Sequence, residues 1–159
     1  MSIVFSLLMR GALIVVLALS FGAAFADYPQ LDICGPSQPN TPDKTCIVDG
    51  DTLWLFGENI RLESYDTPES NRGNSKCPNG GTELEVELAS EATSRFQDLL
   101  NGNAWTIERG GFDNTRSQRQ LANFFIDGVD VGQILVDEGL ARWYPDGPFF
   151  WCDQEDLTR

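Results

Sequence analysis

The stretch CIVDGDTLWLFGENIRLESYDTPE, residues 46–69, constrains the chain most. Asp49-Gly50 and Gly57-Glu58-Asn59 are turn sequences, and they cut it into three short extended segments. Cys46 to Asp49 is the first, Thr52 to Phe56 the second and Ile60 to Tyr65 the third. In the third, Ile60, Leu62 and Ser64 face one way and Arg61, Glu63 and Tyr65 the other, the period of a strand. Three acids, Asp51, Asp66 and Glu69, fall at strand ends near Arg61. Carboxylates and a guanidinium meeting there suit a hard cation and a phosphate.

Downstream, residues 70–81 form a polar, glycine-rich loop. A helix then opens at Thr82, with Thr82 and Glu85 as a capping box. Leu84, Leu88, Ala92, Phe96 and Leu99 recur at helical spacing until Asn101-Gly102 stops the run. Glu83, Glu87 and Glu91 lie on the opposite, solvated face. Ala104 to Arg109 and Gln120 to Ile126 read as two more strands. Asp130 caps a second helix, Val131 to Glu138, which Gly139 ends. Three strands, a helix, two strands and a helix predict an α+β, mainly β fold. The expected form is a closed, five-stranded barrel of the OB type with two to three packed helices.

The 159 residues fit one domain. Residues 1–26 read as a cleavable secretory signal: Arg10 is their only charge, Gly11 to Phe21 is apolar, and Ala24-Phe25-Ala26 is a small-x-small cleavage pattern. The expected divisions are a signal over 1–26, an irregular leader over 27–45, the barrel domain over 46–144, and an aromatic, Pro- and Gly-broken tail over 145–159. Export implies a secreted or periplasmic protein, with no stable membrane association once the signal is removed. The four cysteines, Cys34, Cys46, Cys77 and Cys152, contain no C-x-x-C pair. In an exported chain they suit two disulfides rather than zinc. Three connectivities are open. One of them, Cys34–Cys46 with Cys77–Cys152, would close the leader onto the first strand and tie a loop to the carboxyl end.

The chain has no histidine, which removes imidazole chemistry and leaves carboxylates, arginines and a metal. Its net charge of −13, or −14 without Arg10, provides no basic surface for generic polyanion binding. Contact with a polyanion must therefore be local.

DGDT at 49–52, IRL at 60–62, DTPE at 66–69, R-x-L-A at 119–122 and VDVGQILVDEGLAR at 129–142 resemble the staphylococcal-type nucleases (thermonucleases) over about residues 44–144. The extra cysteines resemble the secreted bacterial branch. The resemblance implies calcium as cofactor, held by Asp51, Asp66 and the carbonyl of Thr67. It implies a phosphate clamp of Arg61 and Arg119, with Glu69 as the base that activates water. Trp143 and Tyr144 would correspond to base-stacking aromatics, although tail anchoring or core packing explains them equally. The implied activity is hydrolysis of DNA and RNA with low sequence specificity, leaving 3′-phosphate ends, with no obligate protein partner. The chain departs from the family pattern before Arg119, where Ser117-Gln118 replaces the usual Tyr-Gly turn, and Arg116 is an alternative clamp. A binding module without catalysis, or an exported calcium-binding interaction domain, would be the competing functions. Against the binding module, the full set of site side chains is present and the charge is acidic.

Overall fold

The computed structural model describes residues 28–152. The expected signal, residues 1–26, and the end of the tail, residues 153–159, lie outside them. Among the described residues, nine strands and two α-helices follow in chain order: β1 (Asp32–Ile33), β2 (Cys46–Asp49), β3 (Thr52–Leu55), β4 (Glu58–Leu62), β5 (Tyr65–Asp66), α1 (Glu83–Gly102), β6 (Thr106–Phe112), β7 (Gln120–Ile126), β8 (Val129–Asp130), α2 (Val131–Asp137) and β9 (Arg142–Trp143). Short 3-10 turns cover Arg72–Asn74 and Phe150–Cys152.

The fold class is as expected, α+β and mainly strand, but the barrel does not close. The main sheet runs β1-β2-β3-β4-β7-β6, with β8 on β7. Closure would require β6 to pair with β2. That edge of β2 is taken instead by β1, which pairs parallel to it at Asp32↔Cys46 and Ile33↔Ile47. The Cys34–Cys46 disulfide fixes the contact, and Cys34 N donates to Ile47 O at 2.7 Å. At the other end, β6 is irregular between Arg109 and Phe112 and exposed along most of its length. A bulge of this kind bends a strand and ends its pairing.

The third strand also ends early. Leu62 is its last residue, and Tyr65 and Asp66 pair instead with Trp143 and Arg142 in a separate two-stranded ribbon. The residues that follow the second helix are thereby brought against the acidic end of the opening stretch. Helix α1 begins as expected, with the Thr82 hydroxyl accepting from Glu85 N at 2.9 Å. The box is not reciprocal, however, because the Glu85 carboxylate turns toward Glu69 N at 3.5 Å.

The core lies between the sheet and α1. Alternation along β7 buries Gln120, Ala122, Phe124 and Ile126. Phe124 meets Phe96 of α1 and Trp105 edge-on. Leader and tail are both built into this body. Leu31 is fully buried in the core, and Tyr28 stacks on Trp105. Trp151 is buried and Cys152 is bonded to Cys77. Of the three connectivities open from sequence, the structure therefore holds Cys34–Cys46 and Cys77–Cys152. Chain-entropy arguments put such cross-links at about 2–4 kcal/mol each.

Candidate active site

Two turns build the site. In the first, Asp51 N donates to the Asp49 carboxylate at 3.2 Å, and Leu62 N donates to Asp51 O at 2.9 Å. Gly50 lets this turn lie against α1, since a Cβ there would come within 2.7 Å of Ala92 Cβ and 3.0 Å of Thr67 Cγ2. In the second, β5 delivers Asp66, Thr67 and Glu69 beside it.

Asp51 and Asp66 are only 3% and 2% exposed, a burial that carboxylates sustain only with cation or hydrogen-bond partners. Arg61 supplies both. Its Nη2 lies 2.9 Å from Asp51 Oδ2 and 2.8 Å from Asp66 Oδ1, and its Nη1 donates to Asp51 Oδ1 at 3.0 Å. The two carboxylates thus converge on one nitrogen. Thr52 Oγ1 donates to Asp51 at 2.7 Å and Thr67 N at 3.4 Å.

The two acids differ in charge environment. Burial, and then the Asp49 carboxylate, push Asp51 up to about 7 against the pull of Arg61 and Thr52. Asp66 is buried too, but Lys76, Arg61 and Arg142 together hold it below the ordinary carboxylate range. Glu69 is raised, chiefly by burial and by Asp51 and Asp66, with Lys76 and Arg61 opposing. Asp51 has one ion-pair partner among the described residues, Arg61, whereas Asp66 has three, Arg61, Lys76 and Arg142.

Three side chains of this site carry no role in the sequence reading. Arg142 is the most buried of them. Its Nε and Nη2 both reach Asp66 Oδ2 at 2.9 Å, and its Nη1 donates to Pro145 O and Gly147 O. The guanidinium lies 3.7 Å from the Phe149 ring centre, a cation–π contact. It closes the GLAR motif, and its charge next to so apolar a segment was the available signal. Lys76 Nζ lies 3.4 Å from Asp66 Oδ1 and 3.9 Å from Glu69 Oε1. Nothing in the sequence places this loop residue there. Asp113 anchors Arg119, accepting from its Nε at 2.7 Å and its backbone N at 2.9 Å. Despite some desolvation, bonds from Thr115 and Arg119 bring Asp113 down to about 2.

Beside Arg61 opens a cleft of about 390 Å³, lined by Arg61, Arg119, Lys76, Phe112, Tyr144 and neighbouring loop residues but not by Asp51, Asp66, Thr67 or Glu69. Arg61 and Arg119 therefore share one cleft despite the altered turn, because Asp113 orients the guanidinium that the missing Tyr-Gly would have presented. Arg119 Nη1 also lies 3.5 Å from Thr52 Oγ1, beside Asp51. Arg116 is exposed on the loop and does not line the cleft. Glu63 lines it but makes no ion pair with Arg61. Of the two aromatics, Tyr144 faces the cleft, while Trp143 stacks on Tyr65 with ring centres 4.9 Å apart. Phe112, on the far lip, is 67% exposed.

Among the described residues no three Asp, Glu, Cys or His side chains gather closely enough to hold an ion by themselves. Any cation here would take two carboxylates and complete its shell from backbone carbonyl and water. Nor, among these residues, is any helix long and apolar enough to cross a membrane.

A family model described as "Staphylococcal nuclease homologue" matches residues 59–154. Endonuclease YncB of Bacillus subtilis (strain 168) is 30% identical over 100 residues, covering 60% of this chain and 44% of its own. The SPbeta prophage-derived endonuclease YokF of the same organism is 32% identical over 100 residues, covering 60% of this chain and 31% of its own. The matched stretch is less than half of either relative.

Proposed function

The chain belongs to the staphylococcal nuclease homologue family, and on that premise we propose that it is a calcium-dependent nuclease. It hydrolyses phosphodiester bonds in DNA and RNA with low sequence specificity and leaves 3′-phosphate ends. The observation that carries this reading is the convergence of buried Asp51 and Asp66 on Arg61, which lines one cleft together with Arg119. Both relatives bear the name endonuclease, which supports the same reaction class.

In this reading Asp51, Asp66 and the Thr67 carbonyl hold calcium. Their chemistry fits, since calcium favours several hard oxygen donors. Asp51 has only Arg61 as an ion-pair partner among the described residues. When bound, calcium would supply Lewis-acid polarisation of the phosphoryl oxygen. The remaining work belongs to side chains. Arg61 and Arg119 bind non-bridging phosphate oxygens, where charge grows in the transition state. Asp113 keeps Arg119 aimed across the cleft. Glu69, one-third exposed at the edge of the carboxylate cluster, orients a water and takes its proton. Tyr144, at the cleft wall, stacks on a base of an unpaired strand. Trp143, packed on Tyr65, supports Tyr144 from the neighbouring position.

The acidic overall charge suits an enzyme that holds its substrate weakly and locally. The two disulfides fit an oxidising compartment, in keeping with secretion or periplasmic export.

Calcium titration by calorimetry, with and without a nucleoside 3′,5′-bisphosphate, tests the reading. The bisphosphate is expected to tighten calcium binding at least tenfold, since both ligands share one site, a coupling of about 1.4 kcal/mol. Calcium binding indifferent to the nucleotide would favour the plain calcium-binding domain instead.

A further inference from the structure

The loop between β5 and α1 places a cation where none is needed for phosphate binding alone. Lys76 Nζ approaches Asp66 Oδ1 and Glu69 Oε1 at 3.4 and 3.9 Å. Arg61 and Arg142 already serve Asp66, and both are anchored. Arg61 bridges to Asp51, and Arg142 is buried under Phe149 and fixed to two carbonyls. Lys76 differs from both. Its side chain is half exposed, and Asp66 and Glu69 are its only ionic partners among the described residues. Its backbone is held in place, because the next residue, Cys77, is buried and bonded to Cys152. The loop is thus stapled at the point that brings an ammonium group over the carboxylate edge.

We propose that Lys76 is an internal counter-ion that competes with a divalent cation for Asp66, and so sets the calcium concentration at which the site fills. The inference rests on the reading of Asp51 and Asp66 as cation ligands. An ammonium within 4 Å of the carboxylate oxygens lowers the negative potential available to an incoming cation, and once a cation sits there the two like charges repel. Because the side chain is flexible and half in water, it yields rather than excludes. Its effect is therefore a raised threshold and not a block. Salt screens it, since the head group is open to solvent.

The test is calorimetric calcium titration of the full chain and of the Lys76→Gln and Lys76→Arg variants, at low and at high salt. Neither substitution removes a buried group, so both proteins should melt as the parent does. Lys76→Gln is expected to bind calcium about two- to fivefold more tightly at low salt, the worth of one partly exposed ion pair. The gain should shrink at high salt, and Lys76→Arg should stay near the parent. Calcium binding by the parent with an equal or weaker affinity in Lys76→Gln overturns this inference and leaves the calcium reading intact. No calcium binding by any of the three overturns both.

Discussion

Arg61→Gln is expected to lose cleavage by about a thousandfold or more, the scale of removing a phosphate-binding arginine, and to lose stability with it. Asp51 and Asp66 are both almost fully buried, and Arg61 pairs with both. Breaking a buried pair from one side costs about 3–5 kcal/mol, because the other charge stays behind. The loss falls unequally. Asp66 retains Arg142 and Lys76, whereas Arg61 is the only cation paired with Asp51 among the described residues. Without it the Asp51 carboxyl must rise further still. A raised carboxyl means that the folded state binds more protons than the unfolded one, so stability falls as pH climbs above the unfolded value of 3.8. Below about pH 7 both folded proteins keep the Asp51 carboxyl protonated, so its share of the Arg61→Gln deficit should open only as pH rises above about 7. Denaturant midpoints across pH measure it. Adding Asp51→Asn should recover part of the stability and none of the activity.

Glu69→Gln should do the reverse, sparing the fold and removing the reaction. Its carboxylate is one-third exposed, and its nearest cation, Lys76, is 3.9 Å away. Amide substitution keeps the shape of this half-buried side chain and should therefore change stability by less than about 1 kcal/mol. Loss of a general base typically costs about 10²–10⁴ in rate. The pH dependence separates a base from a bystander. Glu69 acts ionised, and burial together with Asp51 and Asp66 raises its carboxyl above the ordinary 4.5. Parent cleavage at saturating calcium should therefore rise with pH through a limb set by one ionising carboxyl. The residual activity of Glu69→Gln should lack that limb.

Much of the site was legible because it is local. Asp51, Arg61, Asp66 and Glu69 lie within two turns of one meander, and strand alternation with two turn dipeptides is enough to bring them together. Helix α1 was legible from the spacing of Leu84, Ala92, Phe96 and Leu99, and β7 from its strict alternation. Barrel closure was not legible. It depends on whether β6 or the leader takes the free edge of β2, a contest between a bulged exposed strand and two residues stapled by a disulfide. Neither outcome is written in periodicity. Arg142 was hidden for a similar reason, since its partner lies 76 residues away. That pairing exists only because β5 leaves the main sheet to join β9. Lys76 depends on the Cys77–Cys152 bond, one of three connectivities. Arg119 shows the converse. The expected turn was absent, yet Asp113, six residues before it, performs the orientation through two hydrogen bonds.

Buried Asp51 and Asp66, in the proposed function, hold a cation next to a phosphate clamped by Arg61 and Arg119. The most direct test is the cleavage rate of single-stranded DNA by the purified protein in calcium, after excess chelator, and after calcium is restored. Cleavage is expected in calcium, with loss in chelator and full return on restoration. Undiminished cleavage in chelator would contradict that function.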